Sequence, residues 1–293
     1  MLNVLQILNE QLAGGQLQLA FQDLTSNDLH WILIKLQEIE AIRNISSSNS
    51  NVWKINLAGN RKLGDDVAEC LHLLPVTVRD IDFSYCGISA TGLRNICQFM
   101  ESNKTITCLV LWGNVITFDG AMHIRDMLTK NTTLQEFSFY NVFPMNTEGK
   151  LIIADALECN STLRKLYLDD CTGRPADAIV YSKFRSVLER AGSSSAIQTL
   201  EIGPINRDPH LEQWEETLQK CENLCHLGSN SSGLAYNRKC MYWRALNMYN
   251  ARKITRDGDI EEILSVIERA VKNRNIDVTY YLVRNNVECI SRD

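Results

Sequence analysis

The side chains able to do chemistry are plentiful but scattered. Five histidines stand at positions 30, 72, 123, 210 and 226, and ten cysteines run through the chain. Only Cys221, Cys225 and His226 lie close enough in sequence to suggest metal ligation, and no second ligand pair follows at the spacing zinc needs. Gly149-Lys150 lacks the upstream glycine that a phosphate-binding loop requires. His-Glu-x-x-His, Cys-x-x-Cys and Gly-x-Ser-x-Gly are absent. No nucleophile can be paired with a base, so the sequence predicts a protein that is not an enzyme, with no cofactor and no metal.

Composition narrows the class further. The chain has 293 residues, 45% hydrophobic and 22% charged, which is enough apolar material for a sizeable core. Thirty basic against 35 acidic residues leave a net charge of −5, the wrong sign for a chain built to hold nucleic acid. The start, Met1-Leu2-Asn3-Val4-Leu5, has no basic region, and no apolar run is long enough to cross a bilayer, so neither secretion nor a membrane is expected. Scattered cysteines without a secretory signal read as free buried thiols, and the expected compartment is the cytoplasm.

The elements that must position any site announce themselves by repetition. An apolar-x-x-apolar-x-apolar-x-x-(Asn/Cys) pattern recurs as Val52-Ile55-Leu57-Asn60, Val78-Ile81-Phe83-Cys86, Ile106-Leu109-Leu111-Asn114, Leu134-Phe137-Phe139 and Leu163-Leu166-Leu168-Cys171. Ile197-Leu200-Ile202 and a worn Leu224-Leu227 follow, and Leu17-Leu19 precedes. Ile55, Ile81, Leu109, Phe137 and Leu166 succeed one another at 26, 28, 28 and 29 residues. Gly64, Gly92, Gly120 and Gly149 keep a fixed offset before the next copy, as do apolar residues such as Ile96 with Phe99 and Ile124 with Met127. Those offsets are helical, so each unit reads as a short strand followed by a helix. A lone strand–helix unit cannot bury its own apolar face, and stacked neighbours supply the cover.

This pattern resembles the leucine-rich repeats of the ribonuclease-inhibitor type over about residues 17 to 230. The resemblance implies an α/β fold: a curved leucine-rich-repeat solenoid, with a parallel sheet on the concave side, helices on the convex side, and helical caps. Residues 1–16 are expected to be an N-terminal capping helix, with Leu2, Leu5, Leu8 and Leu12 along one face; 17–233 the solenoid; and 234–293 a mainly helical C-terminal cap. In that last segment Tyr242, Trp243, Leu246 and Tyr249 read as one apolar cluster, and Asp259 with Glu262 as a helix start. Ile260, Ile263, Leu264, Ile267 and Val271 then run down one face. The Asn/Cys position is expected to donate to backbone carbonyls of adjacent turns. Asn103, Asn131 and Asn160 form Asn-x-Thr sequons but stand at the helix-to-strand turn, where asparagine suits a left-handed backbone, so turn chemistry is the expected role over glycosylation.

Strand alternation then defines an open face. Lys54, Asn56, Asp80, Asp82, Ser84, Cys108, Val110, Trp112, Glu136, Ser138, Tyr140, Lys165, Tyr167, Asp169, Thr199 and Glu201 are expected to face outward. Trp112, Tyr140 and Tyr167 should make an aromatic strip, bordered by Asp80, Asp82, Glu136, Asp169 and Glu201. Central aromatics are typical interface anchors, and carboxylates would select a Lys/Arg-rich segment of another protein. The expected function is a noncatalytic protein–protein interaction scaffold. The alternative is a GTPase-activating protein similar to the Ran regulator, which shares this repeat subtype; Arg61 is its one candidate residue, without a motif. A third reading, the sensing end of a larger immune-type receptor, lacks a nucleotide-binding region in this chain.

Overall fold

A computed structural model describes residues 8, 10–45, 52–139, 146–168, 177–203, 205, 208–228 and 238–286. The chain forms two compact units, Met1–Asp170 and Cys171–Asp293.

In the first unit, strands β1 (Leu12–Ala13), β2 (Gln16–Gln18), β3 (Lys54–Asn56), β4 (Asp80–Asp82), β5 (Cys108–Val110), β6 (Glu136–Ser138) and β7 (Lys165–Tyr167) lie side by side in chain order. Strands β2 to β7 are parallel and in strict register, so Leu17, Ile55, Ile81, Leu109, Phe137 and Leu166 are successive neighbours. None of the six is more than 1% exposed. This is the apolar spine the spacing predicts. Leu12, expected in the N-terminal helix, instead pairs antiparallel with Leu17 in β1; residues 1–7 and 9 of that expected helix lie outside the described residues.

Helices α1 (Ser26–Ile45), α2 (Ala90–Ser102), α3 (Phe118–Lys130) and α4 (Thr147–Ala156) connect the strands. Ser89, Thr117 and Asn146 cap the last three by accepting from backbone N–H groups of the first turn. Between β3 and β4 the connection is a tighter 3₁₀ helix, Gly64–Leu73. Its ten residues at about 2.0 Å each span roughly what the thirteen of α2 span at about 1.5 Å. The repeat that is two residues short therefore still reaches the next strand. Its buried Val67 and Cys70 are three apart, the spacing at which 3₁₀ side chains eclipse.

Two rows of asparagine bind the repeats together. The Asn114 side-chain amide donates to the carbonyls of Phe83 (2.8 Å) and Leu111 (3.1 Å), and its Oδ1 accepts from the N–H groups of Cys86 and Ile88. Asn60 repeats this with Leu19, Leu57, Gln22 and Leu24. Cys86 fills the slot with one weak donor, its Sγ 3.2 Å from the Leu57 carbonyl oxygen. On the other side of the layer, Asn160 donates to Leu128 O and its Oδ1 accepts from Thr162 and Leu163 N–H; Asn131 does likewise with Met100, Thr133 and Leu134. The turn role expected for these sequons is present, but the backbone differs: Asn103 and Asn131 have φ of −67° and −74°. They are extended, since an Asx turn needs no left-handed angle. The amides of Asn131 and Asn160 are buried and donate to carbonyls of the preceding repeats.

The repeated glycines have two causes: Gly64 takes a left-handed φ of 54°, while Gly92 and Gly120 sit where a Cβ would collide with the preceding repeat. A Cβ on Gly120 would fall 2.9 Å from both Leu93 and Ile116. Past the strand ends, Tyr85 takes a left-handed φ of 54° and its ring lies across Gly113, where an added Cβ would meet it at 2.2 Å. Phe21 lies across Gly59 in the same way.

The second unit holds β8 (Thr199–Glu201), parallel to β9 (His226–Leu227), with Leu200 beside Leu227. Helices α5 (Asp177–Ala191), α6 (Trp214–Lys220), α7 (Arg238–Met248), α8 (Ala251–Asp257), α9 (Ile260–Lys272) and α10 (Ile276–Asn285) make up the rest. Cys221 takes the second asparagine's place, its Sγ donating to Leu188 O at 3.0 Å. Asn247, on α7, then donates to the carbonyls of Leu218, Cys221 and Leu224. Tyr242, Trp243 and Tyr249 pack with buried Leu246, as the sequence suggests. Asp259 caps α9 by accepting from Glu262 N–H at 2.8 Å. The buried face of α9 is Ile263, Val266 and Ala270; Ile260, Leu264 and Val271, expected alongside Ile263, are exposed. The helix carries two apolar stripes, and the packing uses the narrower one.

Candidate functional site

The outward residues of β2 to β7 form two columns on the open face of the first unit. One column runs Gln16, Lys54, Asp80, Cys108, Glu136, Lys165, and the other Gln18, Asn56, Asp82, Val110, Ser138, Tyr167. Each set of three strand residues reads half-buried, buried, half-buried in β2, β3, β4, β5 and β7, as expected of one covered and one open sheet face. Asp80, Asp82, Trp112, Glu136 and Tyr167 are therefore brought together. Tyr140 and Asp169 lie outside the described residues. Glu201 is half-buried on β8 of the second unit. Thr199, expected outward, is buried.

Charge on this face is ordered. Lys165 Nζ donates to Glu136 Oε2 at 2.9 Å, and that bond raises the lysine pKa above 10.5. Asp82 Oδ1 accepts from Ser84 N–H at 2.8 Å, closing the end of β4. The Asp80 carboxylate accepts no side-chain or loop hydrogen bond from the described residues. Burial pushes its pKa above 3.8, and Glu136 adds to this while Lys54 and Lys165 oppose it. Cys108 sits between the two carboxylates, and its pKa is pushed up to about 12 by burial first and then by Glu136 and Asp80. It stays a thiol, so it contributes apolar surface instead of a nucleophile.

A carboxyl whose pKa is raised on folding costs stability once the pH exceeds its unfolded value, because the unfolded chain ionises more readily. Asp80→Asn is thus expected to stabilise the first unit by about 0.5 kcal/mol at neutral pH and to have no effect at pH below 3.8. Urea unfolding at the two pH values checks this; equal effects at both would refute it.

Two serines depart from expectation. Ser84 and Ser138 are 4% and 2% exposed, although both occupy outward positions. The cause at Ser138 is Trp112, whose indole Nε1 donates to Ser138 Oγ and covers it. Trp112 as a whole remains 42% exposed. Tyr85 was not foreseen as part of this edge. Its signal was available: it occupies the offset held by Gly59 and Gly113 in neighbouring copies.

The other candidates go elsewhere. Cys225 Sγ faces Asn223 O and Cys221 faces Leu188 O, so the two thiols are aimed at different carbonyls. His226 has its pKa lowered from 6.5 by burial and then by Arg244, which also donates to Cys225 O. Arg61 is exposed beside Asn60.

No protein-family model matches the chain. It is similar to the human NACHT, LRR and PYD domains-containing protein 5, 28% identical over 131 residues, which is 43% of this chain. The match spans only 11% of that relative's length. A relative named for leucine-rich repeats agrees with the parallel strands and alternating helices. No helix among the described residues is long and apolar enough to cross a membrane.

Proposed function

We propose that this protein is a noncatalytic leucine-rich-repeat scaffold of the ribonuclease-inhibitor-like type, which grips another protein on its open strand face. The observation that carries the reading is the set of registered columns: outward residues from six strands share one surface while the residues between them fill the core. Thirteen-residue helices alternating with three-residue strands support the subtype. Helices need about 10 Å of width each and parallel strands about 4.8 Å, so a helix layer behind such strands favours curvature with the open face concave. Residues 17–233 would form the solenoid, with 1–16 and 234–293 closing its ends. Asn247 supports the latter, since it seals carbonyls that a further repeat would otherwise engage. The eight described cysteines are all free, which suits a reducing cytoplasm.

Trp112, Tyr140 and Tyr167 serve as anchors, and Asp80, Asp82, Glu136, Asp169 and Glu201 favour a Lys/Arg-rich segment. Affinity purification from the native cell, with wild type beside Trp112→Ala/Tyr140→Ala, tests this. Captured partners are expected to fall at least tenfold, since truncating a central aromatic costs about 2 kcal/mol or more. Unchanged capture by the variant sinks the reading.

A further inference from the structure

The row across β3 to β7 has a mirror pattern: Lys54, Asp80, Cys108, Glu136, Lys165. Two carboxylates flank a neutral thiol, and two lysines stand outside them. The central strand β5 is apolar along its length, with Cys108 and Val110 half-buried and Trp112 exposed at its end. Resting on the protein-binding reading above, we propose that the open face of the first unit takes a cationic amphipathic helix laid across the strands. Two basic side chains seven residues apart meet Asp80 and Glu136, and an apolar side chain midway packs on Cys108 and Val110.

The spacing selects the helix. Asp80 and Glu136 are two strands apart, about 9.6 Å at about 4.8 Å per strand. Positions i and i+7 of a helix lie about 10.5 Å apart on one face, and i+3 or i+4 falls midway on that same face. An extended segment covers this distance in about three residues, but i and i+3 of a strand point to opposite sides. Its same-side pairs, at about 6.6 and 13 Å, fit neither. The rise of one helical turn, about 5.4 Å, nearly matches the strand spacing, so successive turns meet successive strands.

The charges agree with this occupant. The Asp80 carboxylate accepts no side-chain or loop hydrogen bond from the described residues and is partly desolvated, so an incoming ammonium or guanidinium relieves it. Glu136 is held by Lys165 in a pair whose side chains are 30% and 45% exposed. Such a pair is worth little and rearranges at small cost. The lysines at the ends of the row favour acidic residues one turn beyond each basic position, which sets the register of the helix and disfavours a uniformly basic peptide.

The test uses the full chain and fluorescein-labelled, alanine-based helical peptides read by anisotropy. One peptide carries Lys at i and i+7 with Leu at i+3; a second has the same composition with Lys at i and i+5; a third carries Glu for Lys. The first is expected to bind about tenfold tighter than the others, and Asp80→Asn or Glu136→Gln each to weaken it about tenfold. These mild variants keep the test valid should charge reversal unfold the protein. Equal binding of the first two peptides, no binding of any, or indifference to both variants overturns the inference. If Trp112→Ala/Tyr140→Ala still abolishes capture of the native partner, the protein-binding reading survives that failure; if capture is untouched, both fall.

Discussion

Asn114→Leu is expected to cost about 3–5 kcal/mol of unfolding free energy, a loss that the equally bonded Asn60 would share. The side chain is 2% exposed, and its removal strips partners from two carbonyls, Phe83 and Leu111, and two N–H groups, Cys86 and Ile88. A buried polar group left without a partner costs about 1–3 kcal/mol, and relaxation recovers part of the sum. Leucine keeps the bulk, so the loss reports hydrogen bonding instead of a cavity. Asn114→Cys should cost roughly half as much, because Cys86 already shows that a thiol can serve one carbonyl in this slot. Asn114→Asp should be at least as damaging as leucine, since it aims carboxylate oxygens at two carbonyls. Urea unfolding of the three variants checks the order; a leucine variant within 1 kcal/mol of wild type would show that the rung is dispensable.

That rung is legible in the amino-acid sequence, and so is most of what surrounds it. The spine from Ile55 to Leu166 follows from an apolar column repeated at 26, 28, 28 and 29 residues, with Leu17 a longer step before it, because only stacked units can bury such a column. The open face follows from strand alternation, and Asp80, Asp82, Trp112, Glu136 and Tyr167 fall on it as read. What escaped the sequence depends on neighbours. The sunken serine at 138 exists because the Trp112 indole folds over it, and nothing in either residue type states that direction. The ring of Tyr85 lies where it does because Gly113 in the next copy leaves it room. The face of α9 is rotated from the expected one: Ile263 and Ile267 pack inward as read, but Val266 and Ala270 join them in place of Ile260, Leu264 and Val271, a choice made by the rest of the second unit. The 3₁₀ segment corresponds to the short spacing of 26 residues, since fewer residues must span the same distance at a greater rise.

The second unit contains a different kind of polar dependence, and it yields the other large effect. Arg185 and Asp208 form an ion pair whose side chains are 4% and 0% exposed. The guanidinium also donates to Gln213 Oε1 at 3.0 Å and lies over the Trp214 ring, 5.5 Å from its centre. Asp208 accepts from Trp214 Nε1 at 2.8 Å and from His210 N–H at 2.9 Å, so one carboxylate organises the segment that leads into α6. Removing one partner of a buried pair strands the other charge, and Asp208→Ala is expected to cost about 3–5 kcal/mol. Asp208→Asn should cost less, because its amide oxygen can still accept from Trp214. The informative variant is the double, Asp208→Ala with Arg185→Met. It removes the stranded charge and leaves two unsatisfied N–H groups, so it should recover about half of the single loss. Urea unfolding followed by Trp fluorescence measures the cycle. A double variant as unstable as the two single losses added together would mean that the pair does not act as a unit, and that each side chain is held by its own remaining partners.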